Sequence, residues 1–226
     1  MGVKIKNILD METINFSELK GKYIAIDAAN ALYQFLSIIQ PNTGLPLMDS
    51  QKRITSHLVG LFNRTINFVE KEIRPIYVFD GKPPVFKKET IEERRVARES
   101  AYKEWQIAIE RGDMETARKY GQSAHRLTRD MVREAKELLI AMGLPIVQAS
   151  TEGEAQASYM VIKKMAWAVA SQDFDSILFG APILVRNLSL AEKRRIPKKN
   201  EYIKVEPQKI DVLKNLTRLK ISREQL

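Results

Sequence analysis

Six acidic side chains carry the chemistry this sequence suggests: Asp27, Asp80, Glu152, Glu154, Asp173 and Asp175. Three of them close short apolar runs, Tyr23-Ile24-Ala25-Ile26-Asp27, Ile76-Tyr77-Val78-Phe79-Asp80 and Ala166-Trp167-Ala168-Val169-Ala170-Ser171-Gln172-Asp173. Asp173 and Asp175 are two residues apart, so an extended chain would turn both carboxylates the same way. Glu152 and Glu154 follow Ile146-Val147-Gln148 and open a helical stretch carrying Ala155, Tyr159 and Ile162, where a first-turn acid reaches beyond the helix end. Carboxylates gathered in one cleft repel unless divalent cations neutralise them. Oxygen ligands without cysteine or clustered histidine select Mg²⁺, with Mn²⁺ as a substitute. Two such ions about 4 Å apart suit phosphodiester hydrolysis, one activating a water and the other stabilising the departing 3′-oxygen. Each acid also has a plainer reading: Glu154 completes a capping box with Thr151, and Asp27 or Asp80 caps a following helix or turn. The six together, at strand ends and a helix start, favour a common site.

The elements that must position these acids alternate. Continuous apolar runs suit strands buried on both faces of a parallel sheet. Leu58, Leu61, Phe62, Thr65, Ile66 and Val69 recur at helical spacing. So do Met131, Val132, Ala135, Leu138, Leu139 and Met142, closed by Gly143 and Pro145. Strands alternating with helices predict an α/β fold, whose active sites gather at the carboxyl ends of the strands.

Residues 82–130 read differently. Gly81-Lys82-Pro83-Pro84 breaks the chain, and Thr90 with Glu93 forms a capping box for a helix bearing Arg94, Arg95, Arg98 and Lys103. That helix ends near Gly112 and a second begins near Asp113. The pair is charged nearly all round, with Tyr102, Trp105 and Ile109 as scattered apolar anchors. It can bury little core and should project from the sheet. A single core over 1–226 follows, divided into an N-terminal region 1–81, a helical insert 82–130 and an internal region 131–226.

Composition narrows the setting. The 226 residues carry a net charge of +9, which favours a polyanionic partner. With no cysteine, disulfides and thiolate metal sites are excluded. No apolar run approaches the ~20 residues that span a bilayer, and the N-terminus lacks the apolar core of a signal peptide. An intracellular protein of cytoplasm or nucleoid, with no membrane partner, is expected. His57 and His125 lack metal-like spacing and read as surface or boundary side chains.

Several motifs together resemble the flap endonuclease family in its archaeal form. They are Ile26-Asp27-Ala28, Tyr33-Gln34-Phe35-Leu36, Thr55-Ser56-His57-Leu58, Tyr77-Val78-Phe79-Asp80-Gly81-Lys82-Pro83-Pro84, Glu152-Gly153-Glu154-Ala155 and Ser171-Gln172-Asp173-Phe174-Asp175. The resemblance implies a PIN-like nuclease fold, a mainly parallel sheet flanked by helices, with residues 82–130 as a helical arch through which a DNA flap threads. It implies a metal-dependent 5′ flap endonuclease and 5′–3′ exonuclease of DNA replication and repair, acting on branched DNA with two Mg²⁺ ions. The six acids match six of the family's seven metal-site carboxylates. Lys87 and Arg94 match arch cations that steer the scissile phosphate. Tyr33 matches an aromatic that stacks on a base, and Gly2 a residue kept near the active site. Lys193-Arg194-Arg195 and Lys198-Lys199 lie between Ile183-Leu184-Val185 and Tyr202-Ile203-Lys204-Val205, resembling a β-hairpin that contacts duplex phosphates.

The sequence departs from the family at three places. Ser150-Thr151 stands where Pro-Ser is usual, and Gln40 where many relatives have Arg. The motif with the seventh acid, the helix-turn-helix that grips duplex DNA and the sliding-clamp peptide are not in this sequence, so a chain lacking the family's C-terminal third is expected. Ser222-Arg223-Glu224-Gln225 reads as a capping box opening a helix. A monomer with weak or relaxed nuclease activity follows, with self-association a risk where apolar surface is bared. The rival readings are a non-catalytic DNA-binding nuclease core and a PIN-type ribonuclease.

Overall fold

The computed structural model describes residues 5–37, 45–84, 87–124, 126–188, 193–195 and 202–226. In chain order the elements are β1 (Glu12–Thr13), β2 (Tyr23–Asp27), α1 (Ala28–Leu36), α2 (Ser56–Glu70), β3 (Arg74–Phe79), α3 (Lys88–Glu110), α4 (Met114–Ala124), α5 (Arg129–Ala141), β4 (Ile146–Gln148), α6 (Gly153–Ile162), β5 (Ala168–Ala170), α7 (Asp175–Leu178), β6 (Ile183–Arg186), β7 (Lys193–Arg195), β8 (Tyr202–Lys204), β9 (Gln208–Asp211) and α8 (Val212–Leu219). Among the described residues, no helix is long and apolar enough to cross a membrane. The chain forms two compact units, the first from Met1–Ala31, Thr65–Gly81 and Pro145–Leu226, the second from Leu32–Arg64 and Lys82–Leu144.

The first unit is built on a seven-stranded sheet in the order β1-β9-β6-β5-β2-β3-β4. The pairs β2–β3, β2–β5, β3–β4 and β5–β6 are parallel, and the edge formed by β6, β9 and β1 is antiparallel. The α/β expectation therefore holds. Central strands must be apolar on both faces, and they are. Ala25, Val78, Val169 and Leu184 share a core with Ala157, Met160 and Val161 of α6, Ile177 of α7, and Val212 and Leu216 of α8. Ile24, Ile26 and Tyr77, which alternate with them, are also buried. Tyr77 keeps its polar end satisfied there, its hydroxyl 2.8 Å from that of Thr65. The strand over Ala168–Ala170 is shorter than its apolar run suggested, so Asp173 lies in a bend beyond the strand.

In the second unit, α3 packs against α4. Helix α3 starts at Lys88, with Lys87 as an N-cap that makes no side-chain cap bond, so the Thr90–Glu93 capping box does not set its start. Gly112 takes the left-handed backbone (φ +68) that reverses the chain. Asp113 then opens α4, accepting from the Thr116 N–H at 3.1 Å. Trp105, Ala108, Ala117 and Ala124 form a small buried cluster, the limited core that this composition allows. The exposed face is charged, with Arg95 paired to Glu92 and Glu99. Helix α5 begins on Thr128, whose hydroxyl accepts from the Met131 N–H, and it ends at the left-handed Gly143. His57 corrects an expectation. It is neither surface nor boundary: its side chain is wholly buried, with Nε2 3.3 Å from Glu134 Oε2. His125 lies outside the described residues.

Candidate metal centre

The carboxyl ends of β2, β3 and β5 are neighbours in the sheet, so the chain segments leaving them converge. Asp27 is the last residue of β2, and Asp80 directly follows β3. Asp27 is 6% exposed. Its Oδ1 accepts the Asn30 N–H at 3.1 Å, which caps α1, while its Oδ2 lies 3.3 Å from Ser171 Oγ. Capping and clustering thus coexist in one side chain.

Asp80 is held by the segment that carries the two glutamates. Its Oδ1 accepts the Gly153 N–H at 2.6 Å, at the first turn of α6, where the helix dipole favours an anion. The neighbouring Gly81 N–H donates to Thr151 O at 2.6 Å. That approach needs glycine: a Cβ at Gly81 would lie 2.5 Å from the Ser150 carbonyl carbon. Gln148 adds a clamp, its Nε2 donating to the Asp80 carbonyl at 2.7 Å. Glu152 is the N-cap of α6 but makes no side-chain cap bond, and Glu154 sits in the first turn. The Thr151–Glu154 capping box does not form.

Burial pushes the Asp27 carboxyl up to about 7, with repulsion from Asp80 and Asp173 adding to it against the Asn30 and Ser171 hydrogen bonds. Burial likewise raises Glu154 to about 8, helped by Asp27, Asp175 and Asp173 and opposed by Ser171. Asp80, Asp173 and Asp175 therefore each bear on Asp27 or Glu154, and Glu152 is delivered to the same end of the sheet as the residue before Gly153. Asp173 and Asp175 differ from the extended arrangement expected. The chain bends after β5 and turns into α7 at Asp175, so the two are related by a turn rather than by strand alternation.

The donor set is wholly oxygen, as Mg²⁺ or Mn²⁺ requires, and a cation would relieve the cost of ionising Asp27 and Glu154 together. The residues present thus fit divalent ions. Among the described residues, no three acidic or histidine side chains are yet close enough to hold one ion as placed, so binding would draw the carboxylates inwards.

Several polar residues around these acids were not singled out from sequence. Ser171 Oγ is 3.1 Å from Glu154 Oε1. Asn30 Nδ2 donates to Asp173 Oδ2 at 3.4 Å. The Arg186 guanidinium lies 4.4 Å from the Phe174 ring centroid and donates from Nε to the Gln172 carbonyl at 3.2 Å. The available signal was the interruption of an apolar run by Ser171 and the placing of Asn30 three residues after Asp27.

The other predicted contacts fall outside this cluster. Tyr33 is 37% exposed and is not core. The Arg98 guanidinium lies 5.0 Å from its ring centroid, within the second unit. Lys87 is half-buried at the start of α3, and Arg94 is exposed along it. β7 and β8 pair antiparallel, Lys193 opposite Lys204 and Arg195 opposite Tyr202. Gly2, Lys198 and Lys199 lie outside the described residues.

Comparison with known proteins agrees with the fold. The XPG N-terminal domain matches residues 1–101 and the XPG I-region residues 143–226. Flap endonuclease 1 of Pyrococcus furiosus is 55% identical over 226 residues, covering 100% of this chain. A solved flap endonuclease-1 from Methanococcus jannaschii superposes with a TM-score of 0.72 at 43% identity, covering 99% of this chain and 67% of that one. The chain belongs to the flap endonuclease family. The catalytic core of Rad2 in complex with DNA substrate is a more distant member of the comparison, at 28% identity and a TM-score of 0.63 over 95% of this chain and 55% of that one. The chain spans 66% of the length of the Pyrococcus protein. Membership accounts for the PIN-like fold.

Proposed function

We propose that this chain is a metal-dependent nuclease core that hydrolyses DNA phosphodiesters at the base of a 5′ flap. The observation that carries this reading is the set of mutually repelling acids, Asp27 buried among them, at the carboxyl end of the parallel strands. Asp27, Asp80, Glu152, Glu154, Asp173 and Asp175 would hold two Mg²⁺ ions. When bound, such ions supply an activated water and a Lewis acid for the leaving oxygen. Gly153 and Gln148 fix where Asp80 stands. Lys87 and Arg94 offer cations for the phosphoryl oxygens, Tyr33 a stacking face for a base, and the β7–β8 hairpin with Lys193, Arg194 and Arg195 a contact for duplex phosphates. Gly2, Lys198 and Lys199 are assigned to the DNA by family resemblance alone.

The test uses labelled double-flap DNA with the purified chain in Mg²⁺ and in EDTA, beside Asp173→Ala. Cutting that needs Mg²⁺ and is lost in the variant supports the reading. DNA binding without cutting would instead support a non-catalytic core, a reading favoured by the open spacing of the acids. Matched RNA flaps cut as fast as DNA would move the assignment to a ribonuclease.

A further inference from the structure

Two uncharged side chains hold the acidic cluster together. Ser171 is 5% exposed at the exit of β5. Its Oγ lies 3.3 Å from Asp27 Oδ2 and 3.1 Å from Glu154 Oε1, and it accepts the Asp173 N–H at 3.2 Å. A hydroxyl has one proton, so it satisfies only one of those two carboxylates at a time. The other, when ionised, is held close to an oxygen it would otherwise avoid. Asn30 works from the opposite side. Its backbone N–H donates to Asp27 Oδ1 at 3.1 Å, its Nδ2 to Asp173 Oδ2 at 3.4 Å, and its Oδ1 accepts the Gln172 N–H at 3.4 Å. The last bond fixes which end of the amide faces the acid. Between them, Ser171 and Asn30 touch Asp27, Glu154 and Asp173, and they anchor the backbone at Gln172 and Asp173.

We propose that Ser171 and Asn30 are positioning residues that keep the Asp27, Glu154 and Asp173 carboxylates gathered near one another, so that metal affinity depends on two groups that need not touch the metal. The physical reason is the repulsion already described. Without a brace, three acids on separate segments would drift apart, and each ion would have to regather them. Partners that orient metal-binding carboxylates commonly change metal affinity by about 10–100-fold when removed. The long 3.4 Å contacts of Asn30 place it at the lower end of that range.

This inference rests on the reading of the acids as a metal centre, and the experiment separates the two. Mn²⁺ alone is titrated calorimetrically into the whole chain, Ser171→Ala, Asn30→Ala and Asp173→Ala, without DNA. Thermal unfolding of each is followed in EDTA. The expected result is Mn²⁺ binding weakened about tenfold in Ser171→Ala and in Asn30→Ala, with the EDTA midpoint held near the parent's. A purely structural role would lower the midpoint and leave the affinity of the folded fraction alone. If the parent binds Mn²⁺ and Asp173→Ala loses it while both brace variants stay within about twofold of the parent, the brace is overturned and the metal centre stands. If Asp173→Ala binds as tightly as the parent, or the parent binds none, both readings fall together.

Discussion

Replacing Asp27 by Asn should make the metal-free chain more stable while removing a metal ligand. Asn keeps the Oδ1 that accepts the Asn30 N–H, and it caps a helix as well as Asp does, so local geometry survives. What changes is charge. Asp27 is held at about 7 against its ordinary 3.8, with burial as the first cause. A folded-state value raised in this way gives stability that is complete below the ordinary value and lost as pH climbs through about 7. At pH 8 the folded chain must therefore carry an ionised Asp27 that the unfolded chain carries freely. The gap from 3.8 to about 7, at about 1.4 kcal/mol per pH unit, sets a ceiling of about 4 kcal/mol. Relaxation of the site lowers the gain to about 2–4 kcal/mol, or about 5–10 °C in the unfolding midpoint for a chain of this size. Near pH 4.5 the folded group is already protonated and the unfolded one only partly ionised, so the gain shrinks to about 1 kcal/mol. The assay is thermal or urea unfolding of parent and Asp27→Asn in EDTA at pH 4.5 and pH 8. Added Mg²⁺ should raise the midpoint of the parent by mass action and leave the variant behind. A variant no more stable than the parent at pH 8, or one with the same gain at both pH values, would refute the idea that burial of a charge strains this site.

Other perturbations follow from the same structure. Gly81→Ala drives a Cβ into the backbone at Ser150 and should lower stability by about 1–3 kcal/mol, with Mg²⁺-dependent cutting lost; unchanged cutting would show that the approach of these two segments is dispensable. Tyr77→Phe leaves the buried Thr65 hydroxyl without its 2.8 Å partner, so urea unfolding should show a loss of about 1–2 kcal/mol. Gly60→Ala would place a Cβ 2.5 Å from Phe35 Cβ, and thermal melting should show a loss of about 1–3 kcal/mol from overpacking. Burial holds His57 below its ordinary 6.5, with Glu134 opposing. Its ring protons should titrate below that value by NMR, and stability should fall as pH drops below 6.5; a midpoint at or above 6.5 contradicts the burial.

Much of the centre was legible because strands buried on both faces leave an unbroken apolar run, and an acid that ends such a run has few structural excuses. Asp27 and Asp80 were singled out this way, and the helix opened by Glu152-Gly153-Glu154 was read from the strand-like Ile146-Val147-Gln148 before it and from Ala155, Tyr159 and Ile162 within it. The turn between Asp173 and Asp175 was not, because two acids separated by one residue fit an extended chain and a helix start equally well. His57 was misplaced for a related reason. A polar residue on a helix reads as exposed unless its partner is known, and Glu134 is 77 residues away. Ser171 and Asn30 escaped because small polar residues near strand ends usually serve caps and turns. Only the convergence of distant segments gives them three acids to hold.

The order of the central strands also has a bearing on how the chain reaches its native state. Ile24 pairs with Pro75 on one side and with Ala168 on the other, and Tyr77 pairs with Ile146. Each pairing closes a long loop before any neighbouring contact repays the lost chain entropy. Helices such as α3 and α5 can form from local contacts, but the acids come together only when the parallel pairs are made. Affinity of these acids for a divalent ion would thus be acquired late, after most of the topology exists. An ion arriving then can do little to speed folding. It acts chiefly on the reverse step, slowing the escape of a chain that has already folded.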